Sequence, residues 1–163
     1  MKIGVISDTH DNLFKITKAL EVFKQEGIRH ILHAGDVCSP FSIAEIKKAG
    51  IPITAVFGNN DGDWLLLTKV MGDGGEIKKG PFAIELADRK IALMHEPVFI
   101  DALADSGHFD LVIYGHTHGS EVRSTGKALV LNPGECSGYV GGKNSAAVCD
   151  LDTMEARIVD LEG

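Results

Sequence analysis

The sequence predicts an α/β protein that opens as a parallel, helix-covered sheet and turns strand-rich toward its end. Three observations carry this. A short apolar strand, a turn and an amphipathic helix recur three times in the first half. After the glycines at 72, 74 and 75 the pattern changes to paired strands. Hydrophobic residues make up 44% and charged residues 24%, a composition that can fill a globular core.

Taken in order, residues 3–7 form the first strand. Leu13, Ile16, Leu20 and Phe23 fall at helical spacing behind it, with Asn12 placed to cap that helix and Gly27 to end it. Residues 28–34 form the second strand. Pro40 opens a helix whose apolar face includes Ile43 and Ile46 and which stops at Gly50; residues 51–57 give the third strand. A short helix over Trp64–Met71 follows. Residues 82–86 and 90–95 flank Ala87, Asp88 and Arg89 as a hairpin, and a helix at 99–106 interrupts the strands. Residues 111–114 form a buried strand, and further strands are expected near 121–124, 128–131, 146–150 and 156–161. No linker separates the two halves, so residues 1–163 are expected to form one domain.

With 16 basic and 23 acidic residues the net charge is -7, so no attractive field for polyanions covers the molecule. A stable nucleic-acid complex or a membrane-surface role is not expected. The start of the chain lacks the apolar run of a signal peptide, and no stretch approaches a membrane span. The odd cysteines Cys38, Cys136 and Cys149 form no C-x-x-C pair and read as small packed thiols of a reduced, cytoplasmic protein.

The chemistry-bearing residues recur at one kind of place. Asp8 and His10 follow the first strand, Asp36 the second, and Asn59 and Asp61 the third; His95 ends a later strand, and His116 and His118 follow another. In an open α/β sheet the ligand crevice lies at the carboxyl ends of the strands, so these residues can converge. Singly, each has an ordinary reading. Asp8-Thr9-His10 could be a strand end with a helix cap, Gly35-Asp36 and Gly58-Asn59 are common turn dipeptides, and Gly115-His116-Thr117-His118 could be a solvated loop. Together they suit two divalent ions, which need a bridging anion, nitrogen and oxygen donors, and open positions for water and substrate. Imidazole, carboxylate and amide without thiolate favour Mn, Fe, Ni or Zn over a structural zinc site.

The set Asp8-x-His10, Gly35-Asp36, Gly58-Asn59-x-Asp61, His95 and Gly115-His116-x-His118 resembles the calcineurin-like metallophosphoesterases, in particular the small archaeal and bacterial phosphodiesterases. The resemblance implies a four-layer α/β sandwich of two facing mixed sheets flanked by helices. It further implies that Asp8, His10 and His118 hold one divalent metal and Asn59, His95 and His116 a second, with Asp36 bridging. Hydrolysis of a small phosphodiester by in-line attack of a bridging hydroxide would follow, with Mn or Ni as the expected metals and Fe or Zn also suitable. Asn60 and Asp61 join the catalytic set, Asp61 by orienting a neighbour.

Two positions depart from that pattern. Many relatives carry a histidine where this chain has Asn60; an amide donates a hydrogen bond but is no general acid, so diesters should be preferred over monoesters. His95-Glu96-Pro97 replaces the usual His-Gly-His and puts an anion beside the second metal. Of the remaining candidates, His30 and His33 read as satisfied strand histidines, with His33 the one near enough to support the metal shell. His108 reads as a surface or helix-end residue. Glu135 could line the cleft, and so, with less support, could Asp11. Residues 64–67 read as core or subunit packing rather than as a substrate platform, and a dimer contact there would make the chain a homodimer. The alternative to an enzyme is a protein-binding scaffold of the same fold, as in the retromer subunit.

Overall fold

The computed structural model describes residues 1–162. The chain opens with β1 (Lys2–Ile6), whose side chains are buried on both faces from Ile3 onward, the pattern of a central strand covered on two sides. Then comes α1 (Leu13–Gln25). Asn12 caps it by accepting a hydrogen bond from the Lys15 N–H, and Ile16, Ala19, Leu20 and Phe23 form its buried stripe. Gly4 lets this helix approach closely: a Cβ there would stand 2.6 Å from the Phe23 ring.

Next come β2 (His30–His33), α2 (Pro40–Lys47), β3 (Ile53–Val56), α3 (Trp64–Met71) and β4 (Gly75–Lys78). Ser39 and Asp63 cap α2 and α3 through their side chains. The sequence carries α2 to Gly50, but the helix stops at Lys47. The sequence also misses β4, because Gly75-Glu76-Ile77-Lys78 holds a single apolar side chain and shows no alternation over a strand length. Sheet pairing makes it a strand, parallel to β3 from Gly75 to Lys78.

The second half contains β5 (Phe82–Leu86), β6 (Arg89–Leu93), α4 (Ile100–Asp105), β7 (Leu111–Ile113), β8 (Ser120–Ser124), β9 (Leu129–Pro133), β10 (Ser145–Asp150) and β11 (Glu155–Asp160). The hairpin turn is one residue shorter than the sequence suggests. Ala87 and Asp88 both have positive φ, the geometry of a two-residue primed turn, and Arg89 pairs with Leu86.

The strands form two sheets, ordered β11-β10-β1-β2-β3-β4 and β5-β6-β7-β9-β8. In the first, β1 to β4 are parallel and β10 and β11 antiparallel. In the second, β6, β7 and β9 are parallel, with antiparallel edges. One core, including Phe23, Ile43 and Leu67, lies between the first sheet and α1 to α3. A second, including Val5, Leu32, Leu93 and Ile113, lies between the sheets, and a third, around Met94 and Ala104, lies under α4. The result is the helix–sheet–sheet–helix sandwich expected. It brings the carboxyl ends of β1, β2 and β3 to the same seam as those of β6 and β7.

Candidate metal centre

Five loops meet at that seam, and backbone hydrogen bonds tie them together. Asp8 N–H donates to the Gly35 carbonyl, Gly115 N–H to that of His95, Cys136 N–H to that of Ser7, and Ser137 N–H to that of Asp8. Gly115 sits so tightly against Ser7, Ala34 and Asp8 that any Cβ would collide with all three. Asp8, His10, Asp36, His116 and His118 all have φ between 41° and 66°. Left-handed backbone at non-glycine residues costs free energy, and its concentration in one crevice points to a functional site.

The nine residues singled out by sequence fall into three groups here. The donor atoms of Asp8, His10 and His118 lie within 4.8 Å of one another, and so do those of Asp8, Asp36 and His95. Asn59 joins the second group through its Oδ1, which stands 2.9 Å from both His95 Nε2 and His116 Nδ1. Asn60 and Asp61 fall outside the donor cluster and fix Asp36. Asn60 donates to Asp36 through its backbone N–H (2.8 Å) and its side-chain amide (2.7 Å). Asp61, buried, accepts from the backbone N–H groups of Gly58, Asp36 and Cys38.

Several ring orientations follow from these bonds. His95 Nδ1 stands 2.8 Å from the Ala34 carbonyl, which can only accept, so a proton sits on Nδ1; Nε2 faces Asp36 Oδ2, 3.4 Å away. His10 Nε2 faces the carboxylates of Asp36 (3.5 Å) and Asp8 (3.8 Å), while its Nδ1 lies 3.5 Å from Cys38 Sγ. His118 Nε2 stands 3.3 Å from Asp8 Oδ1, and its Nδ1 backs onto Glu135 Oε2 at 3.3 Å, an ion-pair distance without hydrogen-bond alignment.

Charge is unevenly tolerated here. Burial pushes the Asp8 carboxyl above its ordinary value, against hydrogen bonding from Ser7 and the nearby histidines. Burial likewise raises Asp61, outweighing its backbone donors. Asp36 goes the other way: burial opposes its charge, but hydrogen bonds from His95 and Asn60 hold it well below the usual carboxylate range. For His95, burial opposes the proton, and the bonds to Asp36 and Ala34 raise it nonetheless. The Cys38 thiol is pushed up to about 12 by burial and by Asp61 and Asp36, so it offers no thiolate.

Does this donor set fit metal ions? Asp8 Oδ1, His10 Nε2 and His118 Nδ1 are buried polar atoms without a hydrogen-bond partner. Such atoms cost about 1–3 kcal/mol each when left unsatisfied. The first two point into the space enclosed by the donors, where a cation would satisfy them. Oxygen and imidazole donors in two adjoining groups that share Asp8, with Asp36 Oδ2 3.5 Å from His10 Nε2, suit a pair of divalent ions.

Sequence reading underrated three residues. Glu135, fully buried, accepts from Ser137 Oγ and from the backbone N–H groups of Val140 and Gly141. These bonds outweigh burial and keep its carboxyl below the ordinary value, so it stands ionised behind His118. It follows β9, the same strand-end position that singles out the other donors. Cys38 is placed against His10 rather than in the core. Trp64 does not pack into the core: only Leu67 of residues 64–67 is buried, while the indole stacks on Phe57 with centroids 4.4 Å apart beside Asn59 and His95. Asp11, by contrast, faces away, accepting from Ser39 and Ser42 at the start of α2. His30 bonds Thr54, as expected of a satisfied strand histidine.

The comparisons with known proteins agree with this geometry. Residues 1–154 match the family model of the calcineurin-like phosphoesterase superfamily domain. The chain is 38% identical to phosphodiesterase MJ0936 of Methanocaldococcus jannaschii, over 99% of this chain and all of that one. An archaeal phosphodiesterase of solved structure superposes with a TM-score of 0.92 at 36% identity, covering 98% of this chain and 99% of the other. A Vps29 variant from Entamoeba histolytica superposes with a TM-score of 0.70 at 20% identity, covering 98% and 99%, a likeness of fold alone.

Proposed function

The chain belongs to the calcineurin-like phosphoesterase superfamily, and from that premise we propose that it is a metal-dependent phosphodiesterase with a dinuclear centre. The observation that carries the reading is the convergence of seven nitrogen and oxygen donors, from five strand ends, around buried atoms that no protein group satisfies. Asp8, His10 and His118 would hold one ion and Asn59, His95 and His116 the other, with Asp36, one oxygen of which faces His10 and His95, as the shared ligand. When bound, two divalent ions polarise the phosphoryl oxygens and bring the pKa of water toward neutrality. Imidazole and carboxylate donors suit Mn, Ni, Fe or Zn, and the likeness to the small archaeal phosphodiesterases makes Mn or Ni the ions this reading expects.

The chain's own residues do the positioning. Asn60 binds both oxygens of Asp36 and keeps it ionised, and Asp61 pins the Gly58 and Cys38 backbone around it. Asn60 has no proton to give a leaving group, so the site suits diesters whose leaving groups depart as anions. Residues 1–163 act as one metallophosphoesterase domain, the C-terminal strands β10 and β11 completing the sheet that holds Asp8 and Asp36. The reading is of a cytoplasmic enzyme acting on a small diester, with the exposed Leu65 and Leu66 as the contact of a homodimer. Among the described residues no helix is long and apolar enough to cross a membrane. A scaffold role gives no physical reason for the full donor set.

The test is hydrolysis by Mn- or Ni-loaded protein of bis(4-nitrophenyl) phosphate against 4-nitrophenyl phosphate. The expected result is a higher kcat/KM on the diester. No hydrolysis of the diester by metal-loaded protein would overturn the reading.

A further inference from the structure

A pocket of about 210 Å³ opens directly onto the donor cluster, with Asn59 and His95 in its wall. That is room for one heterocyclic group beside the donors. Its apolar walls are the planar rings of Phe57 and Trp64 together with Met94 and Val98. The indole is held in place. Its Nε1–H donates to the Asp61 carbonyl at 2.8 Å, and its ring lies 5° from parallel with Phe57, yet 40% of Trp64 stays exposed. A large aromatic fixed by two contacts and left open beside a reaction centre is a prebuilt stacking surface. Lys79 and Glu96, both exposed, also line the pocket. They supply one donor and one acceptor side chain without net charge, which matches the edge of a neutral heterocycle better than a second phosphate.

Resting on the phosphodiesterase reading, we propose that this pocket binds a nucleobase, so that the substrate is a nucleoside-bearing phosphodiester whose base stacks at Trp64 while its phosphate lies at the metal donors. Glu96, the anion next to His95 in sequence, then recognises the base and disfavours substrates that place a second anionic group in this pocket.

Trp64 is the single tryptophan of the chain, so its fluorescence reports on this pocket alone. The experiment titrates Mn-loaded protein with AMP, ribose 5-phosphate and inorganic phosphate, with excitation at the red edge of indole absorption. AMP is expected to quench Trp64 and to bind about tenfold tighter than ribose 5-phosphate, the usual gain from stacking one base on an aromatic ring. In Trp64→Leu, folded by circular dichroism and titrated with the same ligands by calorimetry because the indole reporter is gone, that gap should shrink to less than about threefold. Equal affinities for AMP and ribose 5-phosphate in the wild-type protein, with diester hydrolysis intact, would overturn the subsite and leave the phosphodiesterase reading standing. Loss of all three ligands together with absence of hydrolysis would overturn both.

Discussion

His33 offers a quantitative link between the buried frame of the site and the stability of the fold. Its Nδ1 accepts from the Gly35 N–H at 3.2 Å, so its proton sits on Nε2, which lies 3.1 Å from Thr9 Oγ1; Thr9 in turn donates to the Asp36 carbonyl. A second proton on Nδ1 would face the Gly35 N–H inside a fully buried site. Burial, reinforced by repulsion from His95 and opposed by attraction to Asp36, lowers the imidazole to about 3, against 6.5 for a free histidine. Between those values the unfolded chain carries one more proton at this residue than the folded chain. Stability therefore rises with pH across this window and is lost as pH falls below 6.5, by about 1.4 kcal/mol per pH unit. Going from pH 7.5 to 5.0 should cost about 2 kcal/mol through His33 alone, a large share of an ordinary domain's roughly 5–15 kcal/mol.

The assay is urea unfolding of metal-free protein at both pH values, for wild type and His33→Asn. The asparagine oxygen can replace Nδ1 as acceptor for Gly35 and does not titrate. The wild-type unfolding free energy should fall by about 2 kcal/mol more than that of the variant. Equal losses would mean that His33 is protonated in the folded state or does not titrate in the unfolded one, and would refute the reasoning.

Three further outcomes are expected around the donors. Glu135→Gln removes the anion behind His118 and should weaken metal binding about 10- to 100-fold by titration calorimetry; a change under about twofold would leave Glu135 only a loop fastener. Gly58→Ala drives a Cβ into Asp36 Oδ1 and its backbone nitrogen, and should cut diesterase activity by about 100-fold or more while circular dichroism stays native. Full activity in that variant would mean that Asp36 moves without consequence. Asn60→Ala strips two hydrogen bonds' worth of positioning to one, the backbone bond, and should shift the pH at which metal is retained upward; an unchanged retention profile would show that the side-chain amide does not help keep Asp36 ionised.

The parts of the fold legible in the sequence were those with a local signal. Helix α1 carries its cap and apolar stripe in plain view, and strands buried on both faces stand out as apolar runs between turns. β4 was illegible because its strand character comes from pairing with β3 rather than from its own side chains. The metal donors were legible because each follows a strand, and the carboxyl edge of a sheet is where ligands gather. What sequence could not supply was which donor faces which. The shared position of Asp8 beside both groups, the left-handed backbone at five of the donors and the seat of Glu135 behind His118 all arise from how two sheets meet at one seam. Trp64 shows the same limit: its neighbours in sequence look like a core helix, but a position at the start of α3 turns the indole back onto Phe57 and into the pocket.

The central claim is that Asp36 bridges two metal ions held by these seven residues. Metal content, measured by elemental analysis after Mn loading and removal of free metal, tests it most directly in wild type and Asp36→Asn. The account predicts two ions per wild-type chain and the loss of at least one in the variant, along with diester hydrolysis. One ion or none in the active wild-type protein, or two ions retained in an active Asp36→Asn, would contradict it.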